Sequence, residues 1–290
     1  MTKTALVLGA SGRFGRNAAQ AFWNAGWRVR SFDRKTDDLM RAAQGVDIIV
    51  NAWNPPYNEW TRTLPEMSRQ LIAAARAADV PILQAGNVYN YGADMPPVLT
   101  PDTPWRGRNS LSLARQRFET ELRESGLKVT VLRAGDFIDT EASGNWFDKV
   151  LIANLAKGRL VYPGPVELPH AWAYLPDMAL AAVQLAEKGD SLAQWEDVTF
   201  PGYTLTGREL AQAIGRVTGK APRLTRFNWL PLRLFRRFIP MAPGLIEMSY
   251  LWRTPHQLDG ARFTELLPDF PATPLDEALR LGVQHQVDPD

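Results

Sequence analysis

The stretch that decides the fold is residues 4–16, TALVLGASGRFGR. A short apolar strand, Thr4 to Leu8, leads directly into three glycines at three-residue spacing, and a helix is predicted from Arg13 to Ala25. Glycines so spaced permit a tight turn, a close backbone approach to a pyrophosphate and close helix–sheet packing, while the helix N-terminus offers free N–H groups. The stretch therefore predicts a dinucleotide site made of Gly9, Ser11, Gly12, Arg13, Phe14 and Gly15.

The residue after the second predicted strand bears on the choice of cofactor. That strand covers Trp27 to Phe32, and Asp33 follows it. A carboxylate at this place can hydrogen-bond the adenosine ribose hydroxyls and would repel a 2′-phosphate, which favours NAD. Arg34 or Arg13 could pair with that phosphate instead, although a solvated surface position is the ordinary alternative for an arginine. The sequence therefore slightly favours NAD as the cofactor and does not exclude NADP.

Composition narrows the class of protein. The chain has 290 residues, of which 45% are hydrophobic, and this is enough for one large domain or two interlocked smaller ones. It contains no run of about 18 apolar residues, and its N-terminus does not have the pattern of a signal peptide. We therefore expect a cytoplasmic protein that does not act at a membrane.

Charge and metal-binding residues exclude further classes. There are 33 basic and 31 acidic residues, and a net charge of +2 argues against a nucleic-acid partner. The chain has no cysteine, and its three histidines are too scattered in sequence to predict a metal site. A small-molecule substrate is expected, and a homodimer is compatible with the sequence.

Predicted strands and helices alternate through the first two thirds of the chain. This pattern indicates an α/β fold, a doubly wound and mainly parallel Rossmann sheet with a smaller C-terminal substrate lobe. We assign residues 1–137 plus 171–202 to the dinucleotide-binding core and residues 138–170 plus 203–290 to the substrate-binding lobe. The loops GASGRFG, NAWNPPY, QAGNVYNYG and RAGDF follow strands, so they should converge on the cofactor. Asn51, Ala52 and Asn54 are expected to hold its adenosine or pyrophosphate side.

Five segments together resemble one known superfamily. GASGRFG, DIIVNAWNP, NVYNYG, VLRAGDF and AYLPDMA are similar to the extended or atypical short-chain dehydrogenases/reductases, and the resemblance covers nearly the whole chain. It implies an NAD(P)-dependent epimerase or reductase with a nucleotide-binding core and a C-terminal substrate lobe.

The chain departs from this family at its usual proton-transfer residues. The family uses a Tyr, a Lys four residues later and a Ser or Thr after the preceding strand; the Lys lowers the phenol pKa. Here Arg115 stands in the lysine position, Leu111 in the tyrosine position and Asn87 in the hydroxyl position. Leucine cannot transfer a proton, Asn87 can only hydrogen-bond a carbonyl, and Arg115 serves as a fixed cation.

Other residues could supply the proton. Tyr89 and Tyr91 lie in the loop that should border the nicotinamide, and His170 and Tyr174 are further candidates; each could equally be a structural residue at a lobe boundary. The sequence thus favours an NAD(P)-binding oxidoreductase or epimerase acting on a small carbonyl, hydroxyl or sugar-nucleotide-like compound. The alternative is a non-catalytic dinucleotide sensor or assembly factor that kept the cofactor site.

Two features of the C-terminal half have structural interpretations that compete with functional ones. Asp177 is expected to cap the apolar helix that begins near Pro176. Residues 221–246 contain five arginines and no acidic residue, interleaved with apolar side chains. This segment could be an amphipathic surface for an anionic or apolar partner, but its prolines favour a lid whose apolar side packs on its own lobe.

Overall fold

The computed structural model describes residues 2–287. Its strands are, in chain order, β1 (Thr4–Leu8), β2 (Arg28–Phe32), β3 (Ile48–Asn51), β4 (Ile82–Gly86), β5 (Val98–Leu99), β6 (Val129–Arg133), β7 (Asp136–Ile138), β8 (Arg159–Tyr162), β9 (His170–Tyr174), β10 (Trp195–Thr199), β11 (Tyr203–Leu205), β12 (Arg223–Arg226) and β13 (Gln257–Leu258).

The helices connect these strands. They are α1 (Arg13–Asn24), α2 (Leu39–Ala42), α3 (Trp60–Ala78), α4 (Ser110–Glu124), α5 (Leu175–Lys188), α6 (Gly207–Thr218), α7 (Leu230–Leu234), α8 (Ala242–Glu247), α9 (Ala261–Leu266) and α10 (Leu275–Val287). Single 3-10 turns at Tyr57–Glu59 and Tyr89–Tyr91 matter for the site. Within residues 2–287 no helix is both long enough and apolar enough to cross a membrane.

The central sheet has six parallel strands in the order β2-β1-β3-β4-β6-β10. The chain runs from β1 outward to β2 and then returns past β1 to β3, so the direction of strand addition reverses there. Ligands of such sheets bind beyond the carboxyl ends of the strands at this reversal. The predicted parallel Rossmann fold is confirmed.

Alternate side chains of the strands fill two separate cores. In β1, Leu6 and Leu8 pack in a core with residues of α3 and α4, whereas Ala5 and Val7 pack in a core with residues of α1 and α5. Successive side chains of a strand point to opposite faces, so both faces of the sheet are covered. This is the doubly wound arrangement predicted from the alternation of elements.

The remaining chain forms a third core. Strands β7, β9 and β11 make one small sheet, and β8 and β12 make another. The side chains packed between them and helices α6 and α10 include Phe147, Trp172, Tyr174, Ile214 and Leu279. Trp172 and Tyr174 come from β9, which the sequence-based division placed in the dinucleotide-binding part, so β9 contributes to both regions.

Asp177 connects helix α5 to the C-terminal region instead of capping the helix. The N-cap residue of α5 is Tyr174, and Asp177 lies in the first turn. Its carboxylate accepts hydrogen bonds from the backbone N–H and the hydroxyl of Thr273, at 2.8 and 2.6 Å. The predicted cap is therefore wrong, because the carboxylate is engaged by Thr273 in the segment before α10.

The predicted lid packs on the protein near its two ends but not in its middle. Phe227 and Trp229 are half-buried and contact Trp146 edge-on or tilted, with ring centroids 5.8 and 5.7 Å away. In contrast, Phe235 and Phe238 are exposed to solvent. The expectation that the apolar side of this segment faces the protein is wrong for Leu230 and for residues 234–239, whereas Ala242 is buried and Leu245 and Ile246 are half-buried.

A buried ion network connects the central strands. Arg133, at the end of β6, pairs with Asp197 of β10 at 2.6 Å and with Glu119 of α4 at 2.8 Å, and all three side chains are almost fully buried. Arg133 also donates to the backbone carbonyl of Asn87, in the loop after β4, at 2.6 Å. Two carboxylates hold the pKa of Arg133 well above its ordinary value despite its burial. The network fixes the loop after β4 against the sheet.

Replacing Arg133 by Leu should destabilise the protein strongly, because Glu119 and Asp197 would remain buried without a cation. We expect the free energy of unfolding in urea to fall by about 3–5 kcal/mol. The control is Arg216→Leu, which breaks the exposed pair with Asp276 and should cost at most about 1 kcal/mol. Equal losses in the two variants would contradict a structural role for the buried network.

Candidate functional site

The glycine loop has the geometry expected from its sequence. Gly9 adopts a positive φ of 79°, and the N–H of Gly12 donates to its carbonyl at 2.9 Å. A Cβ on Gly15 would lie 2.0 Å from that same oxygen, so only glycine permits this approach. No side chain caps α1, and its first turn has no acidic residue. The helix therefore presents N–H groups that suit an anionic ligand.

The other residues predicted in this loop differ in accessibility. The ring of Phe14 is buried in the core between the sheet, α1 and α5, so only its backbone could contact a ligand. Ser11 is exposed. The guanidinium of Arg13 donates to the backbone carbonyls of Ser143 and Gly144, in the lobe, at 3.2 and 2.5 Å. Arg13 thus connects the glycine loop to residues 143–144.

The carboxyl end of β2 carries the residues expected at the adenosine. The carboxylate of Asp33 accepts from the backbone N–H of Lys35 at 2.9 Å, and both Asp33 and Arg34 are exposed. The rings of Phe32 and Trp53 meet edge-on, with centroids 5.5 Å apart. Strand pairing places the end of β2 beside β1, so these groups lie along the same edge of the sheet as the glycine loop.

The three residues predicted after β3 have separate surroundings. Asn51 is fully buried, and its amide donates to Gln84 Oε1 at 2.6 Å, so its side chain joins β3 to β4 and is not offered to a ligand. The N–H of Ala52 donates to the carbonyl of Leu8 at 3.0 Å, next to Gly9. Asn54 is exposed, and its Oδ1 lies 3.5 Å from a guanidinium nitrogen of Arg115.

Helix α4 presents Arg115 where the family has a lysine. Its guanidinium lies 4.7 Å from the ring centroid of Trp60, and its Nε has no hydrogen-bond partner among the described residues. Burial lowers the pKa of Arg115, but a guanidinium keeps its proton. Leu111, one turn earlier on the helix, is also buried, so this helix supplies a cation without a phenol.

Tyr89 hydrogen-bonds a second phenol that the sequence analysis did not identify. The hydroxyl oxygens of Tyr89 and Tyr57 are 2.6 Å apart, and the ring of Tyr89 stacks on Trp60 at 5.9 Å between centroids. Burial raises the pKa of Tyr57, and burial together with the nearby Tyr57 and Asp136 raises the pKa of Tyr89 well above its usual value. At neutral pH both phenols hold their protons.

The loop after β4 separates Tyr89 from Tyr91. Tyr91 is fully buried, its hydroxyl lies 3.5 Å from the carbonyl oxygen of Thr100, and its ring contacts the guanidinium of Arg133. This position argues against Tyr91 as a catalytic residue, because its hydroxyl faces the protein interior. Asn87 uses its side-chain oxygen to accept from the backbone N–H of Tyr89 at 3.0 Å, so it shapes the turn that presents Tyr89. Tyr174 is buried in the core of the lobe.

His170 forms a pair with Asp136 that the sequence did not reveal. Its Nε2 lies 2.8 Å from Asp136 Oδ2, across the parallel strands β9 and β7. The imidazole stacks on Trp252 at 4.3 Å and meets His256 edge-on at 4.6 Å between ring centroids. Asp136 also raises the pKa values of Tyr57 and Tyr89. The charge of Asp136 therefore acts on both tyrosines, while its carboxylate is hydrogen-bonded to His170.

Two hydrogen-bonded pairs, Tyr57–Tyr89 and Asp136–His170, thus lie near the carboxyl edge of the sheet. We call Tyr57, Tyr89, Asp136 and His170 the polar cluster. Tyr57, Tyr89 and Asp136 come from NAWNPPY, QAGNVYNYG and RAGDF, three of the four loops that the sequence predicted to converge, and His170 begins β9. Within residues 2–287 no three His, Asp or Glu side chains are arranged to hold a metal ion.

The resemblance of this chain to known proteins is structural. No protein family profile and no curated protein sequence matches the chain. Solved structures do match over nearly the whole length. A nucleoside-diphosphate-sugar epimerase from Pseudomonas aeruginosa is 20% identical, with 98% of this chain and 96% of that chain covered and a TM-score of 0.71. UDP-glucuronic acid 4-epimerase from Bacillus cereus, in complex with UDP-glucuronic acid and NAD, is 13% identical, with 98% of each covered and a TM-score of 0.76.

A third match agrees with these two. UDP-glucose 4-epimerase from Brucella ovis, in complex with NAD, is 16% identical, with 99% of each chain covered and a TM-score of 0.73. At such low identity the likeness shows a shared fold. The chain therefore has the overall fold of these nucleotide-sugar epimerases, with a parallel Rossmann sheet at its centre.

His256, whose ring meets that of His170, provides a test of whether water is excluded beside the polar cluster. Burial lowers the pKa of His256 to about 3, against 6.5 for the free side chain, so the folded protein holds it neutral while the unfolded chain binds a proton. The stabilising contribution is intact above pH 6.5 and is lost as the pH falls toward 3, by up to about 1.4 kcal/mol per pH unit. We expect His256→Gln to remove this component in urea unfolding measured from pH 7 to pH 4. Parallel stability curves for the two proteins would contradict the buried, neutral imidazole.

Proposed function

We propose that this chain binds NAD(P), with a lean toward NAD, and acts as an oxidoreductase or epimerase on a small carbonyl or hydroxyl compound of the nucleotide-sugar class. The uncapped N-terminus of α1 behind the Gly9–Gly15 loop carries the proposal. It lies beside the point where strand addition reverses, which is where such sheets bind dinucleotides. The epimerases that share the fold support the substrate class, since the Bacillus cereus enzyme binds UDP-glucuronic acid and NAD.

We assign cofactor binding to backbone N–H groups of the glycine loop and to the carboxylate of Asp33. The N–H groups of the loop and of the first turn of α1 would hold the pyrophosphate, and the carboxylate of Asp33 would accept from the ribose hydroxyls. Arg34 is exposed beside Asp33 and could accompany a 2′-phosphate, which keeps NADP as the second cofactor. When bound, either coenzyme supplies hydride transfer.

The proton side is assigned to the polar cluster. Tyr89 donates or receives a proton through its hydrogen bond to Tyr57, and Arg115 supplies a buried positive charge that favours a transient phenolate. Asp136 and His170 form a separate hydrogen-bonded pair, and the charge of Asp136 favours the protonated form of both phenols. This arrangement would replace the tyrosine that the family places at the position of Leu111.

A non-catalytic dinucleotide sensor or assembly factor is the second candidate. Leu111 favours it, because a buried leucine stands where the family has its proton donor. The two functions differ in turnover and agree on cofactor binding, so the two experiments below separate them.

Binding is tested by substitution of Gly12. Its φ of −81° is open to any residue, but a Cβ there would lie 3.1 Å from the Gly9 carbonyl, at the face where phosphate should approach. In calorimetric titration with NADH and NADPH we expect Gly12→Val to weaken binding at least about tenfold, since it obstructs the N–H groups of the loop. Ala25→Val, at the exposed opposite end of α1, should bind as the wild type does. If millimolar coenzyme gives no heat with the wild type, the proposed function is wrong.

Turnover is tested with UDP-sugars, aldehydes and ketones in the presence of reduced or oxidised coenzyme. For any compound that reacts, Tyr89→Phe should lower kcat by about 100-fold or more, because it removes the proposed proton donor. Tyr91→Phe is the matched control and should leave kcat close to that of the wild type, because its hydroxyl lies in the core. An unchanged kcat in Tyr89→Phe would remove Tyr89 from the mechanism. Tight coenzyme binding without turnover of any compound would favour the sensor.

A further inference from the structure

Half of the exposed large hydrophobic side chains of residues 2–287 lie in ten consecutive residues, 230–239. We call these residues the 230–239 segment. The side chains and their exposed fractions are Leu230 57%, Leu234 66%, Phe235 54%, Phe238 81% and Ile239 40%. Single exposed hydrophobic residues are ordinary, but a contiguous group of this kind marks an interaction site.

Arginines are interleaved with these apolar side chains. Arg233, Arg236 and Arg237 are exposed, and no ion pair among the described residues includes them. There is no Asp or Glu from residue 221 to residue 246. The surface therefore combines apolar area with an unbalanced positive charge, and it suits a partner that is apolar and anionic together.

The 230–239 segment is held firmly at both ends. Before it, the indole N–H of Trp229 donates to the carbonyl of Pro163 at 2.8 Å. After it, α8 packs so closely on Tyr57 that a Cβ on Gly244 would lie 2.6 Å from Tyr57 Cβ. Glu247 then accepts from the N–H of Leu111 at 2.7 Å. The apolar side chains thus project from a fixed base beside the polar cluster.

We propose that the 230–239 segment docks this protein on an anionic lipid bilayer, with its apolar side chains inserted among the acyl chains near the headgroups and its arginines at the lipid phosphates. Helices α7 and α8 have five and six residues, so a short turn would insert and not a long helix. Apolar side chains with flanking basic residues are the features of interfacial anchors. Docking does not depend on the proposed function, although it would bring the polar cluster close to the membrane.

Charge argues for lipid over a second copy of the chain. A two-fold interface brings each surface against itself, so Arg233, Arg236 and Arg237 would meet their own copies without an acidic partner. An anionic bilayer neutralises the arginines and accepts the apolar side chains at once.

Vesicle sedimentation tests the proposal on the full chain. We expect binding to vesicles of phosphatidylcholine with about one third phosphatidylglycerol, weak binding to pure phosphatidylcholine, and release by high salt. Arg233→Gln/Arg236→Gln/Arg237→Gln should weaken binding about fivefold per arginine, roughly 100-fold in total. Phe235→Ser/Phe238→Ser should also abolish it. The charge control is Arg28→Gln/Arg41→Gln/Arg280→Gln, which alters exposed arginines elsewhere and should retain most of the binding.

The absence of cysteine allows insertion to be observed directly. An environment-sensitive dye on Leu234→Cys should shift its emission to the blue on anionic vesicles, while the same dye on Trp23→Cys should not; both native side chains are 66% exposed. No vesicle binding, or equal shifts at both positions, would overturn the proposal. So would a dimer in analytical ultracentrifugation that Phe235→Ser/Phe238→Ser converts to a monomer, since a second copy would then cover the surface. Coenzyme titration of the same variants should be unchanged, which separates this outcome from failure of the proposed function.

Discussion

The contact between the backbone of Gly15 and the carbonyl oxygen of Gly9 is the constraint on which the dinucleotide side of the molecule depends. Any Cβ at residue 15 would overlap that oxygen, so the start of α1 can touch the end of β1 only through glycine. This approach sets the uncapped N–H groups of the helix at the edge of the sheet. It also places α1 against α5, with Phe14 and Ala18 in the core they share. One sterically enforced contact thus positions both the anion-binding end of the helix and its buried face.

A second constraint extends from the buried ions to the polar cluster. Arg133 is fixed by Glu119 and Asp197, and it holds the backbone carbonyl of Asn87. The side chain of Asn87 then holds the N–H of Tyr89, whose hydroxyl meets Tyr57. A buried charge network is costly unless every partner is present, so the loop has little freedom to move while the network is intact. The position of the Tyr57–Tyr89 pair is therefore determined by the buried ion network at the centre of the sheet.

The sequence predicted the fold well because its information is local. Apolar strands, glycine turns and helix patterns follow one another at short range, and the parallel sheet, the converging loops and Leu111 in place of a phenol could all be predicted from them. The pairs Tyr57–Tyr89 and Asp136–His170 could not, because each joins residues more than 30 positions apart through loop conformation. Tyr89 and Tyr91 were equivalent in sequence. A 3-10 turn has three residues per turn, so residues two apart point to different sides, and only one of the two hydroxyls avoids the core.

The prediction that the apolar side chains of the 230–239 segment pack on the protein was wrong for a different reason. Apolar residues near prolines predict packing on the nearest lobe, and Phe227 and Trp229 obey this rule. Sequence pattern cannot show where the surface available for packing is interrupted, and here most of the apolar side chains between Trp229 and Met241 have no protein surface to cover them. Hydrophobic residues tend to be buried, but this tendency does not determine whether any single one of them is buried.

The electrostatics of the polar cluster bear on the direction of the proposed reaction. In the family's usual arrangement a lysine lowers the phenol pKa, so the phenolate is accessible and the group can remove a proton from a hydroxyl. Here burial and the carboxylate of Asp136 raise the pKa values of Tyr57 and Tyr89, and the buried Arg115 offsets this only in part for Tyr57. A phenol with a raised pKa holds its proton at neutral pH, so it suits protonation of a carbonyl oxygen better than deprotonation of a hydroxyl. Within the proposed function, the environment of these tyrosines therefore makes the protonated phenol their resting form, which is the form that can donate a proton to a carbonyl oxygen.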